Sequence, residues 1–296
     1  MFPFQPNEKH MAPAALLTQR QRGWIMSAKS VTPSAYSAVR TRHGDDEPLL
    51  SFPVLDREPP PAGRRLVALA GSRHPVRTYA CGVLIAFVAI ATLSILAGLL
   101  VTQVLVRSHG IAADDESVVR FLARHRSRDL TDASLVGSIM AGGVVLPIVA
   151  GVAALLAAIA KHWRLAGFLL FALAVESGSY RATTLLIHRH RPEVPRLEKL
   201  PVNASYPSGH TAASIAVYCG IALLLTSKVS NVKARVAIWI IAVLIPVYVA
   251  LSRMYRGMHH PLDVAGGVVI GIAALLAMVT VSRAAHLADS TRGRSR

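Results

Sequence analysis

The hydrophobic residues of this chain are concentrated in long runs that polar segments separate. Each run approaches the ~20 residues that a helix needs to cross about 30 Å of hydrocarbon. The pattern predicts six transmembrane helices, at Tyr79 to Val106, Ala133 to Ala160, Leu165 to Ile187, Thr211 to Thr226, Val236 to Leu251 and Leu262 to Val281. Because no other open structure satisfies its backbone in lipid, we expect an all-α, polytopic membrane helix bundle over residues 77–284.

The segments outside these runs differ in character. Residues 1–76 are rich in Pro and Arg and contain no apolar run long enough for a signal peptide core, which predicts a disordered cytoplasmic tail. Residues 285–296 are interpreted as a second, basic tail. Between the first two runs, the segment from Asp114 to Arg128 mixes apolar and charged residues. It fits either a helix lying in the membrane interface or a solvated loop.

Composition and charge narrow the class of protein. The chain has 53% hydrophobic residues, a mean hydropathy of +0.45 and a formal net charge of +16. Its basic residues flank the hydrophobic runs and do not form a stripe on a soluble face, which argues against nucleic acid and favours anionic lipid head groups. Cys81 and Cys219 both lie inside apolar runs, where we expect buried, inert thiols.

The orientation follows from the Lys and Arg residues near the predicted helix ends. Thirteen of them lie on the side of the amino terminus and eleven on the other side, and six of those eleven belong to loops with candidate catalytic residues. Both termini are therefore predicted to be cytoplasmic in a multi-pass protein of the plasma membrane, with the candidate site facing outward.

Three polar segments fall on that outward side, at residues 188–192, 206–211 and 252–263. Cleaving a phosphate ester requires donors for the phosphoryl oxygens, a nucleophile and an acid for the leaving oxygen. Arg191 and Arg253 carry planar forks that match phosphate. Ser208 and Gly209 precede the fourth run, where the free N–H groups of a helix amino terminus attract an anion.

Two histidines complete this candidate site. His259 and Asp263 are four residues apart and Pro261 suits the first turn of a helix, so both side chains can share one helical face. We expect Asp263 to accept from one imidazole nitrogen of His259 and to leave the other nucleophilic. His210 would protonate the leaving oxygen and then activate water against a phosphohistidine.

These segments resemble the three signature motifs of the type 2 phosphatidic acid phosphatase (PAP2) superfamily, in its membrane lipid phosphate phosphatase branch. The family pattern is Lys, six residues and Arg-Pro; then Pro-Ser-Gly-His; then Ser-Arg, five residues, His, three residues and Asp. The second motif is complete from Pro207 to His210, and the third is complete at Ser252, Arg253, His259 and Asp263. The resemblance covers roughly residues 79–282.

The first motif departs from the pattern. Arg191-Pro192 fits, but Thr184 stands where the family has Lys. A hydroxyl can donate one hydrogen bond and cannot replace a cation. Arg181, one helical turn earlier, or Arg189 could supply the charge.

Two further groups of residues remain open. Glu176 lies inside the third run on the helical face of Tyr180 and Thr184, which suits either a functional residue or a packing pair. His188, His190 and His260 suggest a metal, but the nearby loops offer only Glu193, Glu198 and Asp263 as carboxylates. We therefore predict no metal and no organic cofactor.

The sequence thus predicts a phosphoric ester or diphosphate hydrolase that acts on a lipid phosphate. The resemblance favours a polyprenyl diphosphate as substrate, with phosphatidate or phosphatidylglycerophosphate as the alternative. Two rivals belong to other classes. A vanadium haloperoxidase would use the same pocket, but such relatives are soluble. A non-catalytic lipid-phosphate binding protein would explain Thr184.

Overall fold

The computed structural model describes residues 52–70 and 74–293, and helices dominate that part of the chain. The helices in chain order are α1 (Pro53–Asp56), α2 (Pro61–Leu69), α3 (Pro75–Leu100), α4 (His109–Arg124), α5 (Arg128–Met140), α6 (Val145–Ile159), α7 (Trp163–Leu186), α8 (Gly209–Ser214), α9 (Gly220–Thr226), α10 (Val232–Tyr255) and α11 (Pro261–Gly293). Short π-helical turns extend α3 over Val101–Leu105 and join α8 to α9 over Ile215–Cys219. The prediction of an all-α fold is confirmed.

The helix lengths fit a membrane bundle. Within the described residues, four continuous segments are long and apolar enough to cross a bilayer, namely Pro75–Leu105, Gly209–Thr226, Val232–Tyr255 and Pro261–Thr291. Helices α5 and α6 pass the same test together and supply a fifth candidate. Helix α7 has 24 residues and covers the third predicted run. It carries Glu176 and Arg181, and it is not among the segments apolar enough to count as a candidate span by composition. The six predicted runs thus each correspond to a helical segment of the described chain.

The second predicted run is not one straight helix. Helices α5 and α6 meet at an angle of 43° across a break of four residues. Gly142 and Gly143 lie in this break, and Pro147 follows in the first turn of α6. Glycine destabilises a helix interior and proline removes a hydrogen-bond donor, so the backbone bends here.

Helix α11 lies at the centre of the bundle. It packs against α3, α7 and α8, and the core between them buries Phe168, Leu169, Ile270 and Met278. Many large apolar side chains on the outward faces of the other helices remain exposed, among them Leu84, Val88, Leu155, Leu156, Ile240, Leu244 and Val247. An outer surface of this kind suits a lipid environment.

Part of the segment predicted to be a disordered tail, residues 53–69, is instead ordered against the bundle. Residues 53–69 form α1 and α2, which bury Leu55 and Leu66 in the core of the bundle. Arg283 of α11 donates from Nε to the Val54 carbonyl at 2.8 Å, and Arg164 forms a 2.8 Å ion pair with Asp56. Apolar burial and these polar contacts hold the segment against the bundle. Residues 1–51 lie outside the described residues.

The carboxyl end is also more helical than predicted. Helix α11 continues from the predicted end at Val281 to Gly293, and Ala284, Ala285 and Ala288 are buried along it. Because α1 and α2 cover this part of the bundle, the helix has a packing surface beyond the expected membrane boundary. The predicted basic tail at 285–296 is therefore helical as far as the structure describes it.

The segment between the first two spans is helical and not a loop. Helix α4 buries Asp115 and Val119 on one face and exposes Val118 and Phe121. Its buried face packs against α10 and α11, close to the predicted site. Of the two cysteines, Cys219 is buried and Cys81 partly buried, and both are free thiols.

Candidate active site

The three polar segments of the sequence meet at one end of the bundle. The segment after α7 carries Arg189 and Arg191, the start of α8 carries His210, and the turn from α10 into α11 carries His259. Backbone hydrogen bonds join the segments, because Ser208 donates to the Asp263 carbonyl at 2.9 Å and Leu197 donates to the Arg256 carbonyl at 3.1 Å. The helix ends thus bring together residues that lie far apart in the sequence.

His259 is buried, with 3% of its surface exposed, and one of its ring nitrogens is committed. Its Nδ1 lies 2.7 Å from the Ser205 carbonyl oxygen. A carbonyl oxygen only accepts, so Nδ1 carries the proton, and in the neutral ring Nε2 keeps its lone pair. Burial first, and then the positive charge of Arg253, lower the pKa of His259 well below its usual range. The imidazole is therefore neutral at physiological pH, with Nε2 available as a nucleophile.

The spacing predicted that Asp263 accepts a hydrogen bond from His259, and the structure does not contain that bond. Its Oδ2 lies 3.9 Å from Nδ1 of His259, beyond hydrogen-bond distance. The carboxylate accepts instead from the Ser205 hydroxyl at 2.5 Å, the His260 backbone N–H at 2.8 Å and the Arg189 guanidinium. Asp263 is the third residue of α11, and a carboxylate there turns back to cap the first free N–H of its own helix. Hydrogen bonds therefore connect Asp263 to His259 through Ser205, whose hydroxyl donates to Asp263 and whose carbonyl binds the ring.

Arg253 is fully buried and has hydrogen-bonding capacity left over. Its Nη1 donates to the Ser138 hydroxyl at 2.5 Å and to Glu198 Oε2 at 2.7 Å. Its Nε and Nη2 have no hydrogen-bond partner within the described part of the chain. Because buried donors are normally paired, these two unpaired nitrogens, with three N–H groups between them, form a candidate site for an anion. The positive charge also lies close enough to act on His210 and His259.

Glu198 holds the arginines of this site, a role that the sequence did not reveal. Besides Arg253, its carboxylate accepts from Arg256 at 2.6 Å and from the Ser138 hydroxyl at 2.8 Å. Burial alone would raise the pKa of Glu198, but the Coulombic attraction of Arg253 and these hydrogen bonds lower it to about 2. In the sequence Glu198 is one acid in a polar loop, and no spacing links it to α10.

Arg191 is buried, and most of its guanidinium N–H groups donate to backbone carbonyls. Its Nε donates to the Pro201 carbonyl at 2.8 Å, Nη2 to Ala204 at 2.9 Å, and Nη1 to the Met258 carbonyl. A guanidinium has five N–H groups, so two remain for a ligand. Burial is the main cause that lowers the pKa of Arg191, and the guanidinium still stays charged because its usual value is so high. Arg191 thus fastens two loops of the site together.

The start of α8 lies beside these groups. Ser208 is buried, with its hydroxyl 2.9 Å from the Thr211 hydroxyl, and its carbonyl accepts the first helical bond from Ala212. The N–H groups of Gly209 and His210 precede that bond and point out of the helix end. A Cβ on Gly209 would lie 3.0 Å from the Tyr180 ring, so the glycine permits close packing here. His210 is half-buried and interacts electrostatically with Arg253, Glu198 and Arg191.

Thr184 and Arg181 form no hydrogen bond or ion pair with the other candidate residues in the described part of the chain. The Thr184 hydroxyl donates to the Arg181 carbonyl of its own helix at 3.0 Å. The Arg181 side chain is exposed and forms no ion pair with any described residue. Arg189 is buried between two carboxylates, Asp115 and Asp263. Of the two possible replacements for the missing cation, Arg189 is thus engaged by carboxylates, whereas Arg181 remains a prediction. Tyr180 lies near Arg191 and Arg253.

The remaining candidates have other surroundings. Glu176 is buried in α7, where it accepts from the Ser177 hydroxyl at 2.9 Å. His188 and His190 are exposed, whereas His260 lies between Glu116 at 3.0 Å and Asp263 at 3.3 Å. Within residues 52–70 and 74–293, no group of three or more His, Cys, Asp or Glu side chains has the geometry to hold a metal ion.

The fold and this site define a helical membrane protein with a buried histidine and arginine cluster at one end of its bundle. Residues 165–286 match the family model of the PAP2 superfamily, and this part of the chain is a PAP2 superfamily domain. The recognition made from the three motifs is thereby confirmed.

Two curated relatives match parts of the same chain. The chain is similar to the undecaprenyl-diphosphatase of Sulfolobus acidocaldarius, with 41% identity over 75 residues, which is 25% of this chain and 32% of the relative. It is also similar to phosphatidylglycerophosphatase B of Bacillus subtilis, with 37% identity over 87 residues, or 29% of this chain and 42% of the relative. The matched part of the chain thus spans less than half the length of either relative.

A solved structure supports the fold over a larger part of the chain. The crystal structure of a transmembrane PAP2 type phosphatidylglycerolphosphate phosphatase from Bacillus subtilis superposes with a TM-score of 0.53. The match has 21% sequence identity and covers 72% of this chain and 96% of the other. At this identity the similarity concerns the arrangement of the helices.

Proposed function

We propose that this chain is a membrane lipid phosphatase that hydrolyses a polyprenyl diphosphate at the outer face of the membrane through a phosphohistidine at His259. One observation carries the proposal. The neutral His259 has Nδ1 bound to the Ser205 carbonyl, so Nε2 is free, and the buried Arg253 nearby has two donor nitrogens without a partner among the described residues. A nucleophile next to unused cationic donors suits attack on a phosphoryl group.

The reaction proceeds in two steps. Nε2 of His259 forms a bond to the terminal phosphorus while the bond from phosphorus to the bridging oxygen breaks, and His210 gives its proton to that leaving oxygen. His210 then takes a proton from water, whose oxygen attacks the phosphohistidine and releases inorganic phosphate. Arg253, Arg191 and the N–H groups at Gly209 and His210 bind the phosphoryl oxygens. The Ser208 hydroxyl is a further, neutral donor at the same helix end.

An apolar groove beside the site favours a substrate with a hydrocarbon tail. A cavity of about 450 Å³ lies between α8, α10 and α11. Thr211 and Val264, which follow His210 and Asp263 in the sequence, line its upper end, and Ile215, Val247 and Ile272 line it further down. A lipid phosphate bound at Arg253 could therefore place its tail in this groove.

The outward orientation is also part of the proposal. The excess of Lys and Arg near the opposite helix ends supports cytoplasmic termini. The contacts of α1 with Arg164 and Arg283 place the amino-terminal helices at the end of the bundle away from His259. A site at the outer face of the plasma membrane meets lipid carriers whose phosphates face outward.

The relatives support two substrate classes. The similarity to a protein named undecaprenyl-diphosphatase favours a polyprenyl diphosphate, and the similarity to phosphatidylglycerophosphatase B favours the alternative, phosphatidylglycerophosphate or phosphatidate. A third candidate, non-catalytic binding of lipid phosphates, follows from Thr184, because a hydroxyl lacks the charge of the family's lysine and Arg189 is paired with two carboxylates.

The deciding experiment is phosphate release by the purified protein in detergent micelles, with polyprenyl diphosphate, phosphatidate and phosphatidylglycerophosphate compared at equal concentration. We expect the highest kcat/KM with the polyprenyl diphosphate. A higher kcat/KM with either of the other lipids would show that the preferred substrate is wrong and that the proposed reaction is right. If the protein binds all three lipids and releases no phosphate, it is a lipid-phosphate binding protein and not a phosphatase.

A further inference from the structure

Helix α4 contributes a buried carboxylate to the site, which none of the three motifs contains. Asp115, with 5% of its surface exposed, accepts from Nη2 of Arg189, while Nη1 of the same guanidinium donates to Asp263. Arg189 itself is 7% exposed, so the three groups form a buried row of acid, base and acid. Removal of one partner from such a row leaves an uncompensated buried charge.

Asp115 also holds the helix that follows His259. Its Oδ1 accepts from the Leu262 backbone N–H at 2.9 Å, in the first turn of α11. The neighbouring Glu116 accepts from His260 at 3.0 Å. Helix α4 therefore makes two contacts with the turn between α10 and α11, and Asp115 joins that turn to Arg189.

From Asp263 the contacts continue to the nucleophile. Oδ2 of Asp263 accepts from the Ser205 hydroxyl at 2.5 Å, and the Ser205 carbonyl accepts from Nδ1 of His259 at 2.7 Å. The order of contacts is Asp115, Arg189, Asp263, Ser205 and His259. Because the last contact sets both the tautomer and the ring plane of His259, any displacement of Asp263 reaches Nε2.

We propose that Asp115 is a positioning residue for His259: it fixes Arg189 and the first turn of α11, so that Asp263 and Ser205 hold the imidazole with Nε2 directed at the phosphoryl group. Asp115 touches neither the substrate nor the reacting atoms. The proposal rests on the proposed function in taking His259 as the nucleophile. It also gives α4 a part in the site that its position between two spans does not suggest.

The test is Asp115→Asn. With its single oxygen the amide can still accept from Leu262, but it then presents an N–H group to Arg189 in place of a charged oxygen. Asp114→Asn is the matched control, because the neighbouring Asp114 side chain is exposed on the same helix. We expect Asp115→Asn to lower kcat on the polyprenyl diphosphate about 10- to 100-fold, with KM within about twofold, as is typical when a supporting contact of a reactive ligand is lost. Asp114→Asn should match the wild type.

A second measurement does not depend on turnover. Orthovanadate has the shape of phosphate, and its vanadium can bond to an imidazole nitrogen, so its Kd reports on the placement of Nε2. We expect Asp115→Asn to raise the vanadate Kd about tenfold, and Asp114→Asn to leave it unchanged. A merely structural role would lower the folded fraction and the Tm, but it would not change the Kd of the molecules that remain folded.

The outcomes separate this proposal from the proposed function. If the wild type releases phosphate and Asp115→Asn has the wild-type kcat and vanadate Kd, the positioning role is overturned and the phosphatase stands. If the wild type releases no phosphate from any lipid while vanadate still binds in a manner that depends on Asp115, the enzyme reading fails and the positioning role stands. A wild type that does not bind vanadate counts against the placement of Nε2 itself.

A double variant tests the chain of contacts. Arg189→Gln interrupts the same row one step closer to His259, and it should raise the vanadate Kd at least as much as Asp115→Asn. If both residues act through one path, the double variant should bind vanadate with the same Kd as Arg189→Gln alone. Independent, multiplying effects would contradict a path from Asp115 through Arg189.

Discussion

Glu198 lies 2.7 Å from Nη1 of Arg253, whereas Nε and Nη2 of the same guanidinium have no hydrogen-bond partner among the described residues. Arg253 belongs to α10, whereas Glu198 lies in the loop after α7. This contact makes the candidate anion site depend on a loop residue that no motif contains.

Glu198→Gln is therefore expected to weaken the enzyme. The neutral amide can still accept one hydrogen bond, but it loses the charge that holds Arg253 and Arg256 together. A loss of about 2 kcal/mol, or about 30-fold in kcat/KM, is expected for a buried charge-assisted contact. Phosphate release from the preferred lipid measures it. Glu193→Gln is the control, because its side chain in the same loop is 84% exposed; an equal loss in both variants would argue for a general effect of the loop.

The same ion pair predicts how stability depends on pH. Burial alone would raise the pKa of Glu198, but the positive charge of Arg253 and the hydrogen bonds to the carboxylate lower it from 4.5 to about 2 on folding. A depressed pKa of an acid contributes stability that is fully present above the unfolded value and is lost as pH falls through the folded value. The Tm advantage of the wild type over Glu198→Gln should thus shrink between pH 4.5 and pH 2. Thermal unfolding in detergent across this range measures it, and a constant difference would contradict the ion pair.

Both histidines should be indispensable for turnover. His259→Ala removes the nucleophile and is expected to lower kcat by more than about a thousandfold, and His210→Ala should slow the reaction severely by removing the acid and base. Both variants should still insert into the membrane and elute as the wild type does in size-exclusion chromatography. His188→Ala is the matched control, because His188 is exposed on the adjoining loop. Wild-type activity in His259→Ala would overturn the mechanism.

Thr184→Lys restores the residue of the family pattern and tests what its absence costs. Arg181 is exposed and Arg189 is bound by two carboxylates, so we expect the new cation to keep or raise kcat on lipid phosphates. Leu185→Lys serves as control, because it adds the same charge one position further on an exposed part of α7. A large loss in Thr184→Lys alone would mean that another cation already serves the phosphate.

Closing the apolar groove should discriminate between long and short substrates. Val247→Trp places a large ring in the cavity between α8, α10 and α11. We expect KM for a long polyprenyl diphosphate to rise about tenfold, equivalent to about 1.4 kcal/mol of binding, and KM for a short, water-soluble phosphate monoester to stay unchanged. Val88→Trp, which changes an exposed position of α3, should affect neither substrate. Equal effects of the two variants on the long substrate would place the tail elsewhere.

Much of the site could be read from the order of residues. The Pro-Ser-Gly-His segment and the Ser-Arg to Asp263 segment predict His210, His259 and Arg253 as candidate site residues, because a helix amino terminus and the i, i+4 spacing are local features. Local spacing also misled in one case. Asp263 can share a face with His259, but as the third residue of α11 its carboxylate turns back to His260.

The sequence by itself determined the membrane class, the run of apolar helices and the residue types needed for phosphate chemistry, because each depends on composition or on spacing within one segment. Only the tertiary structure decided that Glu198 holds Arg253, that Ser205 orients His259, and that Asp115 reaches Arg189 from α4. These pairs are 55, 54 and 74 residues apart. A charge or hydroxyl in a polar loop has many possible partners, and only the packing of the helices that flank the loops selects one of them.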